Sequence, residues 1–162
     1  MVEIAQVTEL GTVYTPEEIR ALTDHAHGLG MGVYLDGARL ANAAAALGLP
    51  LRSFTTDVGV DLLSFGGTKN GALGAEAVVL LRDQAVVGAR PGPEATGTAA
   101  GLAVEHLRKS SLQLASKMRF LSAQLVALLE DDLWLASARH ANAMAARLAA
   151  AVEPLDLSLI HI

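Results

Sequence analysis

With 162 residues, 52% hydrophobic, 18% charged and only 4% aromatic, the chain has material for one domain with a core of Ala, Leu and Val, and is short for two. A formal net charge of −5, with 12 Lys and Arg spread along the chain rather than gathered in a stripe, argues against a nucleic-acid partner. The lack of cysteine removes disulfides, thiolate metal sites and thiol nucleophiles and suits a reducing cytoplasm. No apolar run reaches the roughly 18 residues needed to cross a bilayer, and "MVEIAQVTEL" lacks the basic and apolar regions of a secretory signal; the expectation is a soluble, cytoplasmic protein with no membrane partner.

The first clear element is a helix. In "YTPEEIRALTDHAHGLG", Thr15 precedes Pro16 and stands three residues before Glu18, combining an N-cap, a proline in the first turn and a capping box. Ile19, Leu22, Ala26 and Leu29 follow at helical spacing, and Gly30 is a suitable stop. Val33, Tyr34 and Leu35 then read as a short strand ended by Asp36 and Gly37, followed by an alanine-rich helix in "ARLANAAAALGLP" that stops at Gly48 and Pro50. "VDLLSF" and "AEAVVLL" are further strands. Alternation of strand and helix implies an α/β fold whose sheet is at least partly parallel and covered by helices, with ligands gathering at the C-terminal ends of the strands. Residues 84–101 are rich in Gly, Pro, Ala and Thr and read as a loop. Beyond them Leu107, Leu114, Met118, Leu121, Leu125 and Leu128 predict one long amphipathic helix over residues 107–129, its stripe packed on its own sheet or a neighbouring helix. "SARHANAMAARLAAAVEPL" predicts another helix, closed by Pro154, and "DLSLIHI" the start of a strand.

Chemistry concentrates in two places. In "SFGGTKNG" a lone lysine, Lys69, follows an apolar strand among Gly66, Gly67 and Gly71. The glycines permit a sharp turn and close approach of a ligand, and apolar neighbours would desolvate the ammonium, favouring nucleophilic attack on a carbonyl. The phosphate-gripping P-loop pattern fails, because Thr68 precedes the lysine and Asn70 follows it. A surface lysine on a glycine turn is the plain alternative. Asp36, at the end of the earlier strand, could cap a helix, bind a metal or ionise beside a ligand. One cofactor, pyridoxal phosphate, needs both a lysine partner for its carbonyl and an acid that keeps its pyridine nitrogen protonated. Arg39, in "DGAR", has a planar fork suited to a carboxylate, or is an ordinary solvated or aspartate-paired arginine.

Together, "VYLDGARLANAAAALG" and "DLLSFGGTKNGALGAEAVV" closely resemble the low-specificity threonine aldolases of the β-eliminating lyase group, fold-type I pyridoxal phosphate enzymes. The resemblance runs from about Gly11 to Arg82 and resumes at "SKMRFLSAQLVALLEDDLWL" and "ARHANAMAARLA". It implies that Lys69 is the Schiff-base lysine, Asp36 the pyridine-nitrogen partner, and Arg39 a contact to cofactor or substrate carboxylate. It implies a three-layer αβα large domain with a mostly parallel sheet, here residues 1–130, followed by a linker helix and the start of a small C-terminal domain in residues 131–162. The implied reaction is retro-aldol cleavage of L-threonine or L-allo-threonine to glycine and acetaldehyde by a homo-oligomer whose sites draw residues from two subunits.

The family's phosphate grip, ring-stacking histidine and further substrate-binding arginine have no counterpart in these residues, so weak activity of the chain alone is expected, together with an uncovered sheet and poor solubility. His25 and His27 precede the strand, at the wrong end for a general base, and read as solvated; His106, His140 and His161 carry no motif. Two other readings are a noncatalytic interaction or dimerisation module built on the long helix, and a β-eliminating lyase acting on other amino acids.

Overall fold

The computed structural model describes residues 1–82 and 99–155. Most of the Gly/Pro loop at 84–101, the strand expected from "DLSLIHI" and His161 lie outside the described residues. Four strands, β1 (Val2–Ala5), β2 (Val33–Gly37), β3 (Leu62–Gly66) and β4 (Glu76–Leu80), form one sheet in that order. β1, β2 and β3 are parallel, and β4 runs antiparallel to β3. The parallel pairs are joined through α1 (Pro16–Gly28) and α2 (Leu40–Leu47), as parallel neighbours require. The C-terminal ends of β1, β2 and β3 thus share one edge, where β4 begins and Gly66 pairs with Glu76.

Local chemistry accounts for α1. The Thr15 hydroxyl accepts from the Glu18 amide at 3.3 Å, and Glu18 accepts from the Thr15 amide at 2.8 Å, satisfying two groups that a helix start leaves unpaired. The buried face differs from the expected stripe: Ile19, Thr23 and Ala26 are buried, whereas Leu22 and Leu29 are 41% and 62% exposed. Ile19, Thr23 and Ala26 follow i, i+4, i+7 spacing, and Thr23 is tolerated inside because its hydroxyl donates to the Arg20 and Val58 carbonyls. At the end of α2, Gly48 takes the left-handed conformation (φ 65°) that closes the helix.

The expected single helix over 107–129 is two, α3 (Ala99–Ser110) and α4 (Arg119–Leu129). Between them Leu112 and Lys117 adopt positive φ of 57° and 62°, which no continuing helix contains. The apolar spacing runs across the break and conceals it; the paired serines at 110–111, weak helix formers, stand where it occurs. Packing of the stripe is confined to its second half: Leu128 is buried and Leu121 and Leu125 are half-buried, while Leu107 and Leu114 are exposed. The last helix, α5 (Leu133–Val152), starts earlier than expected and gives way to a short turn containing Pro154.

The two faces of the sheet differ sharply. Ile4, Val33, Leu35 and Leu63 share one face and are buried with Ile19, Leu40, Phe54 and Val60; each such side chain contributes roughly 1.5–3 kcal/mol. On the other face Glu3, Glu76 and Val78 are exposed, and Tyr34, Asp36, Leu62, Ser64 and Leu80 are half-buried, with the Tyr34 and Ser64 hydroxyls joined at 2.7 Å. The core is therefore one-sided among the described residues. α2 packs against α5 through small residues, and a reciprocal amide pair locks them: Asn42 Nδ2 donates to Asn142 Oδ1 at 2.9 Å and Asn142 Nδ2 to the Asn42 carbonyl at 3.0 Å.

Candidate active site

Asp36 is the fourth residue of β2, paired in register with Ala5 and Ser64. Its carbonyl accepts from the Gln6 amide at 2.9 Å, and buried Gln6 is itself fixed by a two-way amide pair with the Tyr14 backbone at 2.8 and 3.1 Å. Oδ1 of Asp36 accepts from the Ala38 amide at 3.0 Å, so the capping role is present in part, as a turn leading into α2. Oδ2 has no hydrogen-bond partner among the described residues.

Lys69 lies in a single 3-10 turn, Thr68–Asn70, directly after β3, and is exposed. The apolar shielding expected of its neighbours is not there: the flanking glycines bury backbone against other elements and leave the ammonium outside, with no anionic partner among the described residues. Arg39, the residue before α2, is exposed and likewise without an ion pair among the described residues.

Glycine brings the two motifs together. A Cβ on Gly66 would stand 2.8 Å from the Ala38 Cα, and one on Gly37 would stand 2.6 Å from the Ser64 carbonyl oxygen. The backbone of "FGG" therefore lies directly on that of "DGA", a contact that larger residues would wedge apart. Gly67 is equally confined: a Cβ there would meet the Ala75 carbonyl oxygen at 2.6 Å and the Leu125 and Leu128 side chains at 3.2 and 3.3 Å. A residue with positive φ is needed at Gly71, where φ is 107°, to reverse the chain toward β4.

At the opposite end of the sheet His27 is not the solvated residue expected. Its Nε2 lies 2.8 Å from Oδ2 of Asp61, which also accepts from the Val33 amide at 2.7 Å. Arg82 completes the group, 3.5 Å from Asp61 Oδ1 and 3.4 Å from His27 Nδ1. His25 is exposed. Neither histidine is at the edge that holds Asp36 and Lys69. Among the described residues no helix is long and apolar enough to cross a membrane.

Sequence reasoning missed the polar side chains around the lysine turn. Asn70 is buried and donates to the Trp134 carbonyl at 3.0 Å. Gln124 accepts from the Leu73 and Gly74 amides at 2.8 and 3.2 Å, and Glu76 accepts from the Thr68 amide at 3.2 Å. The only local signal was an amide residue between Lys69 and Gly71 in an otherwise small-residue turn.

The chain is 41% identical over 142 residues to a low specificity L-threonine aldolase of Pseudomonas sp. (strain NCIMB 10558), covering 88% of this chain and 37% of that protein. It is 41% identical over 150 residues to a low specificity L-threonine aldolase of Pseudomonas aeruginosa, covering 92% and 39%. A threonine aldolase structure from Leishmania major superposes with a TM-score of 0.79 at 30% identity, over 99% of this chain and 43% of that one. The chain thus spans about two-fifths of the length of the curated relatives it matches. The sequence model for "Beta-eliminating lyase" matches residues 1–161, and the chain belongs to the β-eliminating lyase family.

Proposed function

We propose that this chain supplies the lysine and the acid of a pyridoxal phosphate site, for retro-aldol cleavage of L-threonine or L-allo-threonine to glycine and acetaldehyde. The observation that carries the reading is the placement of Asp36 and Lys69 at the same edge of adjacent parallel strands, with Gly66 packed on Ala38 between them. The residues fit the cofactor: among the described residues, an exposed amine without a counter-ion, an acid with one uncommitted oxygen, and glycines that admit no Cβ. The relatives' names support the substrate class.

When bound, pyridoxal phosphate supplies an electron sink for the pair left by a broken bond at the substrate α-carbon. Within this chain, Lys69 Nζ would be the amine that holds the cofactor by its carbonyl carbon and that the substrate amine would replace. Oδ2 of Asp36 would keep a proton on the pyridine nitrogen through a charge-assisted hydrogen bond, with Oδ1 anchored to the Ala38 amide. Arg39 offers its two parallel N–H groups to a carboxylate of the substrate or to the cofactor. His25 and His27 take no part in moving the β-hydroxyl proton, since they lie at the far end of the sheet and His27 is held by Asp61. The working form is a cytoplasmic homo-oligomer.

Adding pyridoxal phosphate tests this directly. The chain is expected to develop a visible absorbance band that Lys69→Ala lacks, and to release glycine from threonine at a low rate. Equal colour in both proteins would favour a noncatalytic interaction module, and colour with turnover of other amino acids but not threonine would assign a different β-eliminating activity.

A further inference from the structure

The nine residues between β3 and β4 carry Lys69 on a single turn of 3-10 helix and include Gly67, Gly71 and Gly74. Such a segment has little regular structure to hold it, and its glycines lose more freedom on ordering than any other residue. Short-range bonds close it on itself, the Gly67 amide to the Ala75 carbonyl and the Ala72 amide to the Gly67 carbonyl, both at 3.0 Å, and further partners come from 50 to 64 residues along the chain. Asn70 points inward and donates to the Trp134 carbonyl in the first turn of α5, and that tryptophan is itself buried, its indole N–H donating to Asp132 at 3.3 Å. Gln124 of α4 caps the Leu73 and Gly74 amides with one oxygen and is oriented by donating to the Phe120 carbonyl at 3.1 Å. Leu125 and Leu128 of α4 press on Gly67. α5 also grips α2, the helix that follows Asp36 and Arg39, through Asn42 and Asn142.

We propose that Asn70 and Gln124 are positioning residues for Lys69: through them α4 and α5 fix the lysine turn relative to the Asp36 strand end. Both side chains are committed to backbone groups of the chain itself. They add long-range partners to a turn that its own backbone bonds and Glu76 already close, which narrows the space sampled by Nζ. A displacement of about 1 Å in a reacting group costs on the order of a hundredfold in rate, so a loosened turn has a measurable consequence. This rests on the assignment of Lys69 as the cofactor-bonding residue.

The test uses the three lysines of the chain, Lys69, Lys109 and Lys117. The protein is incubated with pyridoxal phosphate, reduced with borohydride, and the label on each lysine measured by peptide mass spectrometry, with the folded fraction matched by circular dichroism. Wild type is expected to carry most label on Lys69. Asn70→Ala lowers the share on Lys69 by about tenfold, Gln124→Ala lowers it by a smaller factor, and Gln124→Glu, which keeps the accepting oxygen but loses the bond to the Phe120 carbonyl, restores it in part. In the cofactor-free protein the Leu73 and Gly74 amides exchange faster in Gln124→Ala than in Gln124→Glu. If Asn70→Ala does not fold, the Gln124 pair decides alone. Wild-type labelling without preference for Lys69 overturns the assignment of the lysine itself. A preference that persists in both folded alanine variants overturns only the positioning role.

Discussion

The two ends of the sheet treat charge in opposite ways. At the N-terminal ends of β2 and β3, Asp61 is 7% exposed and has every neighbour it needs: the Val33 amide, His27 and Arg82. Its backbone carbonyl also accepts from Leu81 and Arg82, just beyond β4, so one residue ties three strands and α1. His27 faces Asp61 through Nε2 and Arg82 through Nδ1. At the C-terminal ends, Lys69 and Arg39 have no ionic partner among the described residues, and Asp36 has satisfied only one oxygen. Saturated charge holds the fold together at one end; unsaturated charge, displayed on glycine turns, is available for a ligand at the other. Titratable residues alone do not mark a site, since His27, paired with Asp61, is at the end away from the proposed one.

Substitutions at each end should separate the two roles. The largest effect on stability is expected from Asp61→Ala, which leaves the Val33 amide and the basic pair without their anion; breaking such a buried group costs about 3–5 kcal/mol, to be read from denaturant midpoints. Labelling of Lys69 in whatever fraction remains folded should persist, and its loss there would show that the two ends are not independent. Gly67→Ala is expected to be intermediate, about 1–3 kcal/mol, because its Cβ would lie 2.6 Å from the Ala75 carbonyl oxygen; it should also lower labelling of Lys69, unlike Asp61→Ala. The smallest effect belongs to Arg52→Ala. Arg52 is paired with Asp57 at 2.8 Å on the surface, and the hydrogen bond and charge of Asp57 raise its pKa above the ordinary arginine value. A raised pKa adds stability that is complete below the unfolded value and lost only as pH rises through the folded one. Both lie far above neutral pH, so thermal melts of wild type and Arg52→Ala should show the same pH dependence from mildly acid to mildly alkaline solution.

How far the sequence was legible follows from the range of each interaction. The capping box at Thr15, the strand ends at Asp36 and before Lys69, and the Gly48 stop are encoded within a few residues and appear as expected. β1 was not anticipated: Val2–Ala5 is short, carries Glu3 and is defined mainly by pairing with β2. The break between α3 and α4 was hidden because apolar spacing continues through it. The His27–Asp61 pair spans 34 residues and the Asn70–Trp134 bond spans 64, and no local pattern indicates such partners. The expected desolvation of Lys69 failed for a related reason: apolar neighbours in sequence pack inward and do not surround a side chain on the outside of a turn.

The central claim is that Lys69 and Asp36 address one ring. It is tested most directly by nitrogen-15 magnetic resonance of pyridoxal phosphate labelled at the pyridine nitrogen and bound to the chain. In wild type the resonance should hold the protonated position at neutral pH and above, and in Asp36→Ala, with Lys69 still labelled, it should move to that of neutral pyridine. The same resonance position in both proteins would contradict the account.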